Sequence, residues 1–91
     1  MQTPEEKIQL VKKWLDNPES VSKEELRKAA DAHDTASYYS SVFFPLDEVA
    51  GYAVGEAVSA VDSLAGWVIR AHSDNAAYYV KEYEKLAQKE G

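Results

Sequence analysis

The most apolar part of this chain spans residues 47–72 and reads DEVAGYAVGEAVSAVDSLAGWVIRAH. When these residues are placed at 100° each around a helix, the apolar ones cover an arc of about 200°. Such a wide arc predicts a helix that is contacted from several sides, because a helix with one buried face needs only a narrow apolar stripe. The residues predicted to face inward are Val49, Ala50, Ala53, Val54, Ala57, Val58, Ala60, Val61, Leu64, Ala65, Trp67, Val68 and Ile69. We therefore expect one long central helix, the third along the chain.

Two helices are predicted before this segment, and each has a recognisable start. Thr3 and Glu6 have the spacing of a capping box, in which each side chain accepts a hydrogen bond from the other residue's backbone N–H. Ser22 and Glu25 repeat that spacing at the start of the second helix. The second helix is predicted to continue to Phe44, because the proline that follows forces the preceding residue out of helical conformation.

A fourth helix is predicted to begin at Asp74, which has a side chain suited to capping. Its apolar stripe consists of Ala76, Tyr79, Val80, Tyr83, Leu86 and Ala87. No alternating run of β-branched residues bounded by turn residues indicates a strand. We therefore predict an all-α fold in which residues 1–91 form a single domain, a small antiparallel bundle of about four helices. The first helix could instead be a short accessory packed across the other three.

The negative charge of the chain is concentrated in its middle. The chain has 16 acidic and 10 basic residues and a formal charge of -6. Residues 29–76 hold seven of the acids and a single base, Arg70. A field of one sign attracts basic partners and repels nucleic acid and anionic membranes, so we expect neither direct nucleic-acid binding nor a membrane protein. The absence of cysteine and of an N-terminal targeting pattern favours a cytoplasmic location.

The polar side of the third helix is the first candidate site. Glycine costs about 1 kcal/mol relative to alanine inside a helix, so outward-facing glycines need a reason. A second copy of the chain or a foreign protein lying against the helix backbone would supply one. The alternatives are that an accessory helix of the same chain covers this side or that the glycines are merely tolerated. The candidate partner-binding residues on this helix are Glu48, Tyr52, Gly55, Glu56, Ser59 and Asp62.

The outward face of the second helix is the other candidate. Asp31, Asp34 and Tyr38 share this face. Acids at such a spacing with an exposed tyrosine could imitate nucleic-acid phosphates or meet a basic groove on a protein. A solvated helix face with no partner is the alternative.

The chain lacks patterns typical of catalysis or of metal binding. His33 and His72 have no carboxylate or second histidine at a metal-ligand spacing, and they are more simply interpreted as structural. No glycine-bounded nucleophile and no phosphate-binding loop occurs. We therefore expect a protein without enzymatic activity, cofactor or metal.

The chain resembles a class of small proteins in its composition. The opening Thr-Pro-Glu-Glu-Lys at residues 3–7, Trp14-Leu15, the tyrosine doublets and the closing segment 78–86 are similar to alanine- and tyrosine-rich helical proteins of bacteriophages and mobile elements. The resemblance implies small acidic proteins of the host cytoplasm that often act by occupying a host or toxin protein. Inhibitors of restriction and CRISPR systems and immunity proteins belong to this class.

These observations predict a non-enzymatic acidic binding protein that occludes a basic site on a protein partner, such as a host nucleic-acid-processing defence enzyme. A structural homodimer or larger homo-oligomer assembled through the third helix is one alternative, and an immunity protein that neutralises a toxin is another. A third class, a small-molecule carrier, would require a cavity between the helices.

Overall fold

The computed structural model describes residues 3–31 and 45–90 of the chain, and within these ranges every long element is a helix. The α-helices are α1 (Pro4–Asp16), α2 (Lys23–Asp31), α3 (Pro45–Asp62) and α4 (Gly66–Glu90), and a short 3-10 turn covers Pro18–Ser20. The prediction of a small all-α bundle with a long central third helix is confirmed. The remainder of the predicted second helix, with Asp34 and Tyr38, lies outside the described residues.

The first two helices begin where the capping boxes predict. The Thr3 hydroxyl accepts from the Glu6 N–H at 3.2 Å, and the Glu6 carboxylate accepts from the Thr3 N–H at 3.5 Å. Ser22 and Glu25 make the same reciprocal pair at 3.1 and 3.4 Å. Each pair satisfies backbone donors that a helix leaves without an intrahelical partner, so these local sequences are sufficient to start a helix.

Helix α3 lies at the centre of the bundle and packs against α1, α2 and α4. Its fully buried residues are small, and they are Ala50, Ala53, Val54, Ala57 and Ala60. Alanine occupies little volume, so neighbouring helices can approach closely and fill the space with larger side chains. Ile8 and Val11 of α1 and Leu26 of α2 provide these side chains, and all three are buried.

The third helix ends ten residues earlier than residues 47–72 would require, and the predicted boundary at His72 is wrong. The Ser63 hydroxyl donates to the Ser59 carbonyl at 2.7 Å, and the Ser63 N–H donates to the Ala60 carbonyl at 3.2 Å. These bonds tighten and close the last turn of α3, since a serine side chain competes for backbone groups. Helix α4 then begins at Gly66, so Asp74 lies inside this helix and does not cap it.

Residues 63–65 connect α3 to α4, and the two helices form an antiparallel hairpin around this three-residue turn. Tyr52 contacts Tyr79, and nearer to the turn Glu56 contacts His72. The reversal also changes which residues face inward. Leu64 is fully exposed and Trp67 is 78% exposed, although both were predicted on the inward arc. That prediction was wrong because the 100° count cannot be carried across a break between two helices.

None of the helices in residues 3–31 and 45–90 combines the length and the apolar character that a membrane span needs.

Candidate functional site

The outward side of α3 is open to solvent. Tyr52 is 48% exposed, and Gly55 and Ser59 are also exposed. A methyl group added to Gly55 would meet no atom within 4 Å. No described residue therefore covers this part of α3, which removes the accessory-helix alternative for the described ranges. The small residues leave the helix backbone within reach of another molecule.

Helix α4 extends this open surface with two tyrosines that were not among the predicted site residues. The ring centroids of Tyr52 and Tyr79 are 5.4 Å apart, and those of Tyr79 and Tyr78 are 5.5 Å apart with nearly perpendicular planes. Tilted and edge-to-face pairs of this kind are favourable for aromatic rings. The ring of Tyr79 thus contacts two exposed tyrosines, Tyr52 and Tyr78. Tyr78 is 58% exposed. We name the combined surface of Glu48, Tyr52, Gly55, Glu56, Ser59, Asn75, Tyr78 and Tyr79 the tyrosine strip.

A short hydrogen bond fixes one end of the tyrosine strip. The Tyr52 hydroxyl donates to Glu48 Oε1 at 2.6 Å. This hydrogen bond, followed by the negative charge of Glu48, raises the pKa of Tyr52 above its ordinary value of 10.0. The phenol is therefore protonated at neutral pH, and it orients the carboxylate at the edge of the aromatic cluster.

Glu56 joins the two helices of the hairpin. Its Oε2 atom lies 2.5 Å from Nδ1 of His72 and accepts from Nδ2 of Asn75 at 3.3 Å. Both Glu56 and His72 are only partly exposed. Glu56 was predicted to be a partner-binding residue, and the structure places it in a contact between α3 and α4. Its immediate role is to fix the register of the hairpin beneath the strip.

Asp62 is likewise paired within the chain. Its Oδ1 atom lies 2.6 Å from Nη2 of Arg27 and 3.6 Å from Nζ of Lys23, both on α2. Exposed ion pairs contribute only about 0 to 1 kcal/mol to stability. Their more important consequence here is that two cations offset the charge of Asp62, so this end of α3 is not a strong acidic surface.

The acidic character of the tyrosine strip comes from the opposite end of α3 and from α4. No lysine or arginine occurs between Pro45 and Ile69. Asp47 and Glu48 lie in the first turn of α3, and Asp74 is exposed on α4 one turn before Tyr78. Glu48 and Asp74 are therefore the acids beside the exposed tyrosines, and Arg70 and Lys81 are the bases of α4 nearest to Tyr78 in sequence. Asp31, on the predicted face of α2, is exposed at the end of that helix.

The sequence offered a partial signal for the α4 half of the strip. Tyr78 and Tyr79 are adjacent and point about 100° apart around a helix, so a helix with one narrow buried face can bury only one of them. Which of them is exposed depends on how α4 is rotated against α3. That rotation is set by contacts such as Glu56 with His72, which link residues 16 positions apart.

The described residues contain no group of three histidine or carboxylate side chains arranged to hold a metal ion. The chain matches no protein-family model, and comparisons with curated proteins and with solved structures found no similar protein. The helices of the described residues define the class of the fold as a small all-α helical bundle.

Proposed function

We propose that this chain is a non-enzymatic binding protein and that the tyrosine strip docks on a basic surface of a partner protein. The observation that carries this proposal is the pair of exposed tyrosines, Tyr52 and Tyr78, held by ring contacts to Tyr79. Tyrosines are enriched among the residues that dominate binding energy at interfaces. A tyrosine that is already ordered loses little side-chain entropy on binding.

The small residues of the strip support the same function. Gly55 and Ser59 lie beside the tyrosines, and the space above Gly55 is empty. A partner can therefore contact the backbone of α3 while the tyrosine rings fill its pockets. This combination of aromatic anchors with an adjacent flat surface is suited to protein docking.

The charges favour a basic partner. Glu48 accepts a hydrogen bond from Tyr52, Asp74 lies one helical turn before Tyr78, and no lysine or arginine occurs between Pro45 and Ile69. Complementary charge accelerates encounter with a positive surface and disfavours negative ones. The partner class that we propose is a protein with a basic nucleic-acid-binding site, such as a host defence enzyme of the restriction or CRISPR type. The chain would block this site as a phage-type inhibitor in the cytoplasm, or neutralise a toxin as an immunity protein.

The proposal is tested by comparing two variants in capture of partners from a host lysate. The first variant carries Tyr52→Ala and Tyr78→Ala, and the matched control carries Trp67→Ala, which removes an exposed aromatic outside the strip. We expect the wild type and the control to capture the same basic protein and the double variant to lose it. Capture of the same protein by the double variant, with its fold intact by circular dichroism, would exclude the tyrosine strip as the binding surface.

Self-association through α3 is the second candidate, because the open space over Gly55 would also admit a helix of another copy. Sedimentation at tens of micromolar protein distinguishes the two. A dimer that becomes a folded monomer on Gly55→Gln supports self-association, whereas a wild-type monomer supports a foreign partner.

A further inference from the structure

A pocket lies between the end of α1, the end of α3 and the start of α4. It has a volume of about 340 Å³. Its lining residues are Trp14, Leu15, Pro18, Ala60, Val61, Ile69 and Ser73. None of them belongs to the tyrosine strip, so this pocket is a separate feature of the molecule. We name it the Trp14 pocket.

The chain builds this pocket with rigid and small residues. Trp14 is only 3% exposed, so its indole forms a fixed wall. Asn17 ends α1, and Pro18 begins the turn that leads the chain away. Ala60 is fully buried and carries only a methyl group, so the lining includes a position with little side-chain volume. The space is therefore a consequence of the helix ends and of one small side chain.

The lining defines the chemistry of a ligand. Seven described residues line the pocket, of which six are apolar and none is ionisable. A charged group placed against these residues would lose hydration without gaining an ionic partner among them, so the pocket favours neutral molecules. Among the described lining residues Ser73 alone has a hydroxyl, and this hydroxyl makes no hydrogen bond to another described residue. It is free to bond one polar group of a ligand.

The volume defines the size of that ligand. Small-molecule sites commonly occupy about 300 to 1,000 Å³, so this pocket lies at the small end of the range. An apolar cavity of about 150 Å³ is large enough for benzene, and the Trp14 pocket has about twice that volume. A molecule of two fused rings is therefore of suitable size.

We propose that the Trp14 pocket binds a small, neutral, mostly apolar molecule of about two fused rings, whose single polar group bonds the Ser73 hydroxyl. This site does not depend on the tyrosine strip. A failure to bind such a molecule would leave the proposed docking function unaffected, and the loss of the docking function would leave this site unaffected.

The test uses three related probes with the full chain in isothermal titration calorimetry. Indole can donate its N–H to Ser73, 1-methylindole cannot, and indole-3-acetate carries a charge. We expect saturable binding of indole, weaker binding of 1-methylindole by a factor of about 2 to 10, and no binding of the acetate. The factor corresponds to one neutral hydrogen bond.

Three variants complete the test. Ser73→Ala should make indole and 1-methylindole bind alike, and Ser73→Leu should abolish both by filling the pocket from its rim. Ala71→Leu adds the same kind of side chain on an exposed position of α4 and should change nothing. Backbone amide shifts in NMR spectra should centre on the lining residues.

Several results would overturn the proposal. No saturable binding at millimolar indole excludes the ligand class. Equal loss of affinity in Ser73→Leu and Ala71→Leu, or amide shifts centred on Trp67, places binding elsewhere. A wild-type dimer whose interface covers the lining residues assigns the pocket to a second copy of the chain.

Discussion

Replacing Gly55 by alanine should stabilise the protein. Gly55 lies inside α3, where glycine is less favourable than alanine by about 0.5 to 1 kcal/mol because it loses more backbone entropy on folding. Its φ angle is not positive, and a methyl group there would touch nothing within 4 Å. No steric cost opposes the gain, so the full difference should be measurable.

The change can be measured by urea denaturation followed by circular dichroism. We expect Gly55→Ala to raise the midpoint with an unchanged m-value, and to raise Tm by about 2 to 8 °C, as this free energy implies for a domain of this size. Gly66→Ala is the matched control, because Gly66 is also exposed with open space. It lies at the first position of α4, where glycine costs less, so its gain should be smaller.

A destabilised Gly55→Ala variant would refute this reasoning, since it would mean that an atom lies against the Cα of Gly55 and that the strip is covered. If the strip is open and serves as a docking surface, a bulky residue in place of Gly55 should make the free protein more stable than the wild type. The same residue should weaken binding of the partner, because it blocks access to the backbone of α3. Stability and binding would then change in opposite directions, as they do when an exposed binding surface is optimised for contact.

Further predictions concern the core, a titration and an ion pair. Leu26→Ala should lower the free energy of unfolding by about 2 to 5 kcal/mol, because Leu26 is fully buried; urea denaturation measures the loss. Glu48→Gln should lower the pKa of Tyr52 towards 10.0, as followed by ultraviolet titration of tyrosine, because it weakens the hydrogen bond that raises this pKa most and removes the charge of Glu48. Since the folded state raises this pKa, the stabilisation from the Tyr52 bond should be complete below pH 10.0 and should be lost as the pH rises through the raised value. Asp62→Asn should cost no more than about 1 kcal/mol, because its pairs with Lys23 and Arg27 are exposed, and a larger loss would show that they fix α2 more strongly than surface pairs usually do.

The parts of the fold that depend on nearby residues could be predicted from the sequence. The capping boxes at Thr3 and Ser22 each involve residues three apart, and both helices begin there. The central position of α3 followed from its wide apolar arc, which is a property of one segment. These features do not depend on how the helices are arranged.

The α3–α4 turn was not predicted, because the apolar residues continue on both sides of it. The closing bonds of Ser63 could not be recognised in advance, because serines inside helices commonly make the same bond without ending the helix. The positions of Trp67 and Leu64 on the surface follow from that turn. The α4 half of the tyrosine strip and the pairing of Glu56 with His72 also depend on it, since they require the register of two helices.

Photo-crosslinking in host cells tests the central claim most directly. A p-benzoylphenylalanine residue replaces Ser59 within the strip, and in a control chain it replaces Lys13, which is exposed on α1, a helix that contributes no residue to the strip. We predict that the residue at position 59 forms a covalent adduct with one basic protein and that the residue at position 13 does not. An adduct with the same protein from position 13 and none from position 59 would contradict the account.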